Sequence, residues 1–201
     1  MDSSRYTEIR SQMHQIFQRA FQWDRIPQAQ IVGSAQKLGL WKNNTLHFPE
    51  EEDRAIFFEY CFYEKLSPQG AQIVQYTNEN EEKIAASMTQ SIHSLYEVVA
   101  CKRESNEVIL KDLLNPKGGE ISMVDINLSH ANAEEMIFYT RLLPFENHHI
   151  STGLVLTFSK KSCHKTIIEK EKIELKKRRK LSSPERYQWA FLSYVKHTRN
   201  S

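Results

Sequence analysis

The sequence predicts an α+β protein. A helical N-terminal half spans residues 1–95. A small five-stranded antiparallel β module spans 96–159, either a barrel of the oligonucleotide/oligosaccharide-binding (OB) or SH3-like kind or an open meander. A basic segment and a C-terminal helix fill 160–201, and all three parts fit within one integrated domain. Three observations carry this reading. Apolar residues recur every three or four positions before about residue 95 and every two positions after it. Turn signals punctuate the second half at short intervals. Charge divides sharply, with residues 1–159 carrying a net −7 and residues 160–201 a net +9.

The first helix follows from Ile9, Met13, Ile16, Phe17, Ala20 and Phe21, with Ser3 or Ser4 expected to cap its start. Pro27 interrupts the pattern. A second helix carries Ile31, Ala35 and Leu38 on one face, and Gly39 suits its C-terminal cap. Asn43-Asn44 marks a loop. Pro49 with Glu50, Glu51, Glu52 and Asp53 opens a third helix, acids facing the positive end of its dipole, and Ser67-Pro68-Gln69-Gly70 closes it. The stretch Ile73–Tyr76 fits either period. Ile84, Met88, Ile92 and Leu95 predict a fourth helix over 81–95.

The β module is expected to run as Tyr96–Cys101, a turn at Glu104–Glu107, Val108–Leu114, a strong turn at Asn115–Gly119, and Ile121–Leu128. A short helix over 129–135 then leads to Met136–Phe145 and Ile150–Phe158, joined by Glu146–His149. Five short strands favour closure, because a barrel has no exposed edges. At the C-terminus Ser182 and Glu185 have capping-box spacing, and Trp189, Leu192 and Val195 form the stripe expected to anchor the helix on the body.

The opening Met1-Asp2-Ser3-Ser4 lacks the basic and apolar regions of a targeting signal, and no run approaches the roughly 18 apolar residues of a membrane span. The expected location is therefore the cytoplasm, with no membrane partner. Cys61 and Cys101 lie in apolar runs and read as small core residues. Cys163 lies among lysines with no base beside it, and three widely spaced cysteines give no disulfide framework.

The basic run Lys176-Lys177-Arg178-Arg179-Lys180, with Lys172 upstream, is the candidate site. Clustered cations bind phosphate backbones by releasing counterions. The same cations also suit an acidic protein partner or the acidic body of this chain, and Glu169, Glu171 and Glu174 favour that second use. Tyr96, Phe138, Tyr139, Phe145 and Phe158 offer rings for base stacking, yet read first as core; of the neighbours Phe138 and Tyr139, one is expected inside and the other exposed. His148-His149 are adjacent and point apart on a strand, and no His or Cys pairs have zinc spacing. Asp112, Asp125 and Glu146 would have to converge to hold a catalytic Mg²⁺, and read first as surface and turn residues. No Gly-rich phosphate loop and no nucleophile elbow is present, so no cofactor is expected.

Ser94-Leu95-Tyr96-Glu97-Val98-Val99, Leu110-Lys111-Asp112-Leu113-Leu114 and Tyr139-Thr140-Arg141-Leu142-Leu143-Pro144 together resemble a module of uncharacterised bacterial proteins, some of which end in a zinc-binding SEC-C motif. The cysteines of that motif are absent here, since only Cys163 follows Phe158. The resemblance implies helices followed by a β module and no inherited metal role. The functional expectation is a non-enzymatic binding or adaptor protein that contacts nucleic acid or an acidic protein surface through its basic segment. A metal-dependent nuclease-like enzyme and a structural subunit of a complex are the alternatives.

Overall fold

The computed structural model describes residues 1–20, 26–66, 78–158, 168–170, 172–174 and 181–198. The chain forms two units, one of Met1–Arg10 with Gln90–Ser201 and the other of Ser11–Thr89.

The second unit is helical. Helix α1 (Ser3–Ala20) contributes its later turns, followed by α2 (Gln28–Lys37), a hairpin of β1 (Trp41–Lys42) and β2 (Thr45–Leu46), α3 (Glu51–Cys61) running into a π-helical turn (Phe62–Leu66), and α4 (Glu79–Thr89). Met13, Ile16, Ala35, Leu38, Ile56, Phe57, Tyr60, Ile84 and Met88 are buried, as the three-to-four spacing demands. The cap of α1 is Asp2 rather than a serine, because its carboxylate accepts from the Arg5 N–H at 2.8 Å. Asn43 and Asn44 both take positive φ (50° and 60°), the geometry of a tight hairpin turn, and Gly39 ends α2 at φ 71°. Asp53 Oδ2 accepts from the Glu50 N–H at 3.0 Å at the head of α3. Phe21 and the ambiguous stretch Ile73–Tyr76 lie outside the described residues.

Helix α4 ends at Thr89, not near 95, because Ile92 and Leu95 belong to strand β3 (Ile92–Lys102). Met88, Ile92 and Leu95 satisfy a helical period by coincidence. Pairing with a neighbouring strand decides the matter, with Ile92 opposite Leu142 and Leu95 opposite Tyr139. The remaining strands are β4 (Glu107–Asp112), β5 (Glu120–Val124), β6 (Ile137–Phe145) and β7 (His148–Phe158), with α5 (Ile126–His130) between β5 and β6.

The strands close into a barrel in the order β3-β4-β5-β7-β6. Among barrel strands this is order 1-2-3-5-4, with a helix before the fourth strand, which is the OB arrangement and not the sequential SH3-like one. The wholly antiparallel expectation is corrected by the parallel β5–β7 pair, in which Met123 faces His149. A closed ring of five strands cannot alternate direction all the way round, so at least one pair must run parallel. A bulge in β3 at Val98/Ala100 bends that strand where it passes from β6 to β4. Tyr96, Val98, Val108, Leu110, Met123, Phe138 and Leu142 fill the interior.

The alternation Ile121–Leu128 overruns its strand. Asp125 turns the chain into α5 by accepting from the Leu128 N–H at 2.9 Å, so the connecting helix covers 126–130 rather than 129–135. Helix α6 (Ser183–Thr198) starts as its sequence predicts, with Glu185 Oε2 accepting from the Ser182 N–H at 2.9 Å and from its hydroxyl at 2.8 Å. Its anchor differs from the predicted stripe. Tyr187, Ala190 and Phe191 are buried, whereas Leu192 is 37% exposed. The Tyr187 ring packs on His93 and Tyr139, at centroid distances of 5.7 and 6.1 Å. Tyr139 is consequently buried although it points away from Phe138, which corrects the expectation that one of the two is exposed.

Candidate functional site

Of the predicted basic residues, Lys176, Lys177, Arg178, Arg179 and Lys180 lie outside the described residues. Lys172 is exposed. Its neighbour Lys170 is occupied within the chain, with its ammonium 4.4 Å from the centre of the Trp189 ring and 3.7 Å from Glu174. This contact joins two parts of the segment 160–201 to each other. The basic run ends at Leu181, which is buried, and the capped start of α6 follows at once.

That helix start meets one end of the barrel. Ser183 Oγ lies 2.6 Å from His93 Nε2, and Arg186, one turn on, reaches a cavity of about 490 Å³. Ser94, Tyr96, Asp112, Asn115 and His149 supply its other polar lining, with Ile121 and Leu142 among its apolar walls. A volume of this size suits a small ligand. Asp112 organises the rim. Its Oδ1 accepts from Ser94 Oγ (2.6 Å) and from the backbone N–H groups of Leu114 (2.9 Å) and Asn115 (3.0 Å). Tyr96 stays a neutral hydrogen-bond donor, since burial and then the Asp112 charge push its pKa up against the pull of Arg141 and Arg186. His149 is held below the usual histidine range, chiefly by burial. Its Nδ1 lies 3.3 Å from the Ser122 carbonyl, which only accepts, so Nδ1 carries the proton.

His93 has the strongest electrostatic signature here. Burial, then the Arg141 and Arg186 guanidiniums, hold its pKa well below 6.5. It therefore stays neutral when folded and takes a proton when unfolded. The stability this contributes is complete above pH 6.5 and declines as pH falls below it, by up to about 1.4 kcal/mol per pH unit. Thermal unfolding followed from pH 7.5 to 5 is expected to show this decline, and His93→Gln to show a shallower one. Parallel profiles for the two proteins would remove His93 as its source.

The candidate carboxylates do not assemble. Asp112 and Asp125 stand at opposite ends of the β4–β5 ladder, where Lys111 pairs with Glu120 and Glu107 with Val124. Glu146 is exposed in the β6–β7 turn at φ 54°. Among the described residues no three His, Cys, Asp or Glu side chains gather as a metal site would require. His148 and His149 diverge as expected, His148 lying 3.6 Å from Glu107. Tyr96, Phe138, Tyr139, Phe145 and Phe158 are all buried and serve as core. Cys61 is buried, Cys101 is half-buried with its thiol pKa pushed up mainly by burial, and Cys163 lies outside the described residues. Among the described residues no helix is long and apolar enough to cross a membrane.

The sequence reading misses Ser94, His149 and Arg186 as partners. They come from three elements joined only by barrel closure and helix docking, and no local spacing connects them.

A family model described as a family of unknown function, DUF7986, matches residues 1–199, and the chain belongs to that family. No curated protein and no solved structure matches the chain.

Proposed function

We propose that this member of the DUF7986 family is a non-catalytic nucleic-acid-binding protein, whose basic run Lys176–Lys180 takes the phosphate backbone. One observation carries the reading. Five consecutive cations enter the chain directly before Leu181, the buried residue that leads into the helix carrying Arg186 to the barrel cavity. The cation run thus stands next in sequence to the helix that carries Arg186 to a cavity with polar lining. The OB strand order supports this by analogy, since such barrels bind oligonucleotides. The strands most used for that purpose, β4 and β5, mix Lys111 with Glu107 and Glu120 on the outside, so the basic run rather than the sheet would supply the positive field.

The test is fluorescence anisotropy of the full-length protein with labelled single- and double-stranded oligonucleotides between low and moderate salt. A variant with residues 176–180 changed to Gln runs alongside. Affinity for single strands is expected to fall steeply with salt, and the variant's log–log slope to be shallower by about 3.5, or roughly 0.7 per cation lost. Binding is expected to survive a chelator. Equal binding by both proteins, or no binding at low salt, would sink the reading.

A further inference from the structure

Strand β7 carries a feature that nucleic-acid binding does not use. Between the pairs Thr140↔Val155 and Leu142↔Ser151 the β6–β7 register slips, so β7 bulges through residues 152–154. Thr140 Oγ1 ties the bulge down by donating to the Leu154 carbonyl at 2.6 Å. Bulges of this kind re-aim the chain and recur beside functional sites. Gly153 sits in the bulge at φ 102°, where a side chain is strained. Its bare backbone has a second use: a Cβ there would strike the guanidinium of Arg10. Arg10 also donates through Nη1 to the carbonyl of Ser151, itself buried. The strand thus cradles the guanidinium, and among the described residues no carboxylate pairs with it.

An open cleft of about 570 Å³ lies alongside, bordered by the first turns of α1, the end of β5, α5 and β7. Met123, Leu128, Met136 and Val155 give it apolar walls. Ser151 takes only one of the five N–H donors in the Arg10 fork. Asp125 also borders the cleft, with Oδ1 accepting from Leu128 N–H and Oδ2 lying 3.5 Å from the Tyr6 hydroxyl. Burial and then the Asp125 charge push the Tyr6 pKa up to about 12, so Tyr6 remains the donor of that pair. One nearby negative charge opposes a doubly charged phosphate more than a singly charged carboxylate.

We propose that this cleft binds a small organic carboxylate with an apolar body. The planar Arg10 fork takes the carboxylate through paired hydrogen bonds, and the body lies against the apolar walls. Met123 and Met136 are flexible and polarizable, which lets the walls fit bodies of different shape. The site is independent of the basic run.

The test is NMR of amide signals in the full-length protein, titrated with benzoate and hexanoate, with benzamide, hexanol and inorganic phosphate as comparators. Benzoate and hexanoate are expected to shift the amides of residues 127–131 and 151–157 saturably. Arg10→Gln is expected to weaken them by at least about tenfold, and Arg10→Lys, which keeps the charge without the fork, by less. Should Arg10→Gln disturb the whole spectrum, Arg10→Lys decides the matter. No shifts at these residues would overturn the proposal, as would wild-type affinity in both variants. Benzamide binding as well as benzoate would overturn the role of charge, and phosphate binding as well as benzoate would overturn the ligand class.

Discussion

Phe138→Ala is expected to cost the barrel about 3–5 kcal/mol, a large share of the stability of an ordinary domain. The ring is fully buried and packs against Tyr96 at a centroid distance of 6.3 Å. Its strand pairs on both sides, opposite Tyr96 of β3 and Thr157 of β7, so the surrounding backbone cannot readily close over the lost volume. Phe138→Leu retains most of that volume and is expected to cost less than about 1.5 kcal/mol. Urea unfolding read by amide exchange in the barrel strands measures both. A loss below about 1 kcal/mol for the alanine variant would mean that the interior is not packed around this ring.

The second large effect belongs to Asp112. Its Oδ1 collects three donors, from Ser94, Leu114 and Asn115. Asp112→Ala leaves all three without their acceptor, at about 2–3 kcal/mol, the two backbone donors recovering part of the loss from water. Asp112→Asn preserves an acceptor oxygen at the same place and is expected to cost about 1 kcal/mol. The ratio of the two, from chemical denaturation, separates the hydrogen bonds from the charge. Equal costs would mean that the negative charge, not the geometry, organises the turn after β4.

Much of this architecture is legible in the residues. The period change marks the passage from helices to barrel, the turn Asn115–Gly119 falls where predicted, and Ser182 with Glu185 announces α6. Misreadings arise where two patterns coexist. Met88, Ile92 and Leu95 fit a helix until Leu142 and Tyr139 are known to lie opposite. In α6, Tyr187, Ala190 and Phe191 are spaced as well as Trp189, Leu192 and Val195, and only packing against His93 and Tyr139 chooses between them. The candidate sites are less legible. A lone glycine in a strand does signal a bulge, so Gly153 was readable. That Arg10, over a hundred residues earlier, would lie on it was not, because nothing local links α1 to β7.

Helix α6 also gives the barrel a direction in time. The outer wall of β3 and β6, with His93 and Tyr139, is covered by Tyr187, a residue from the last element described. During synthesis, at about 5–20 residues per second, that wall stays bare for seconds after β7 has left the ribosome. Ile92 pairs with Leu142 across a long stretch of chain, so the ring itself also closes late. The nascent barrel therefore passes through a stage with an apolar flank on view, and a messenger truncated before Tyr187 would fix it there, as a substrate for chaperones and proteases rather than a smaller working protein.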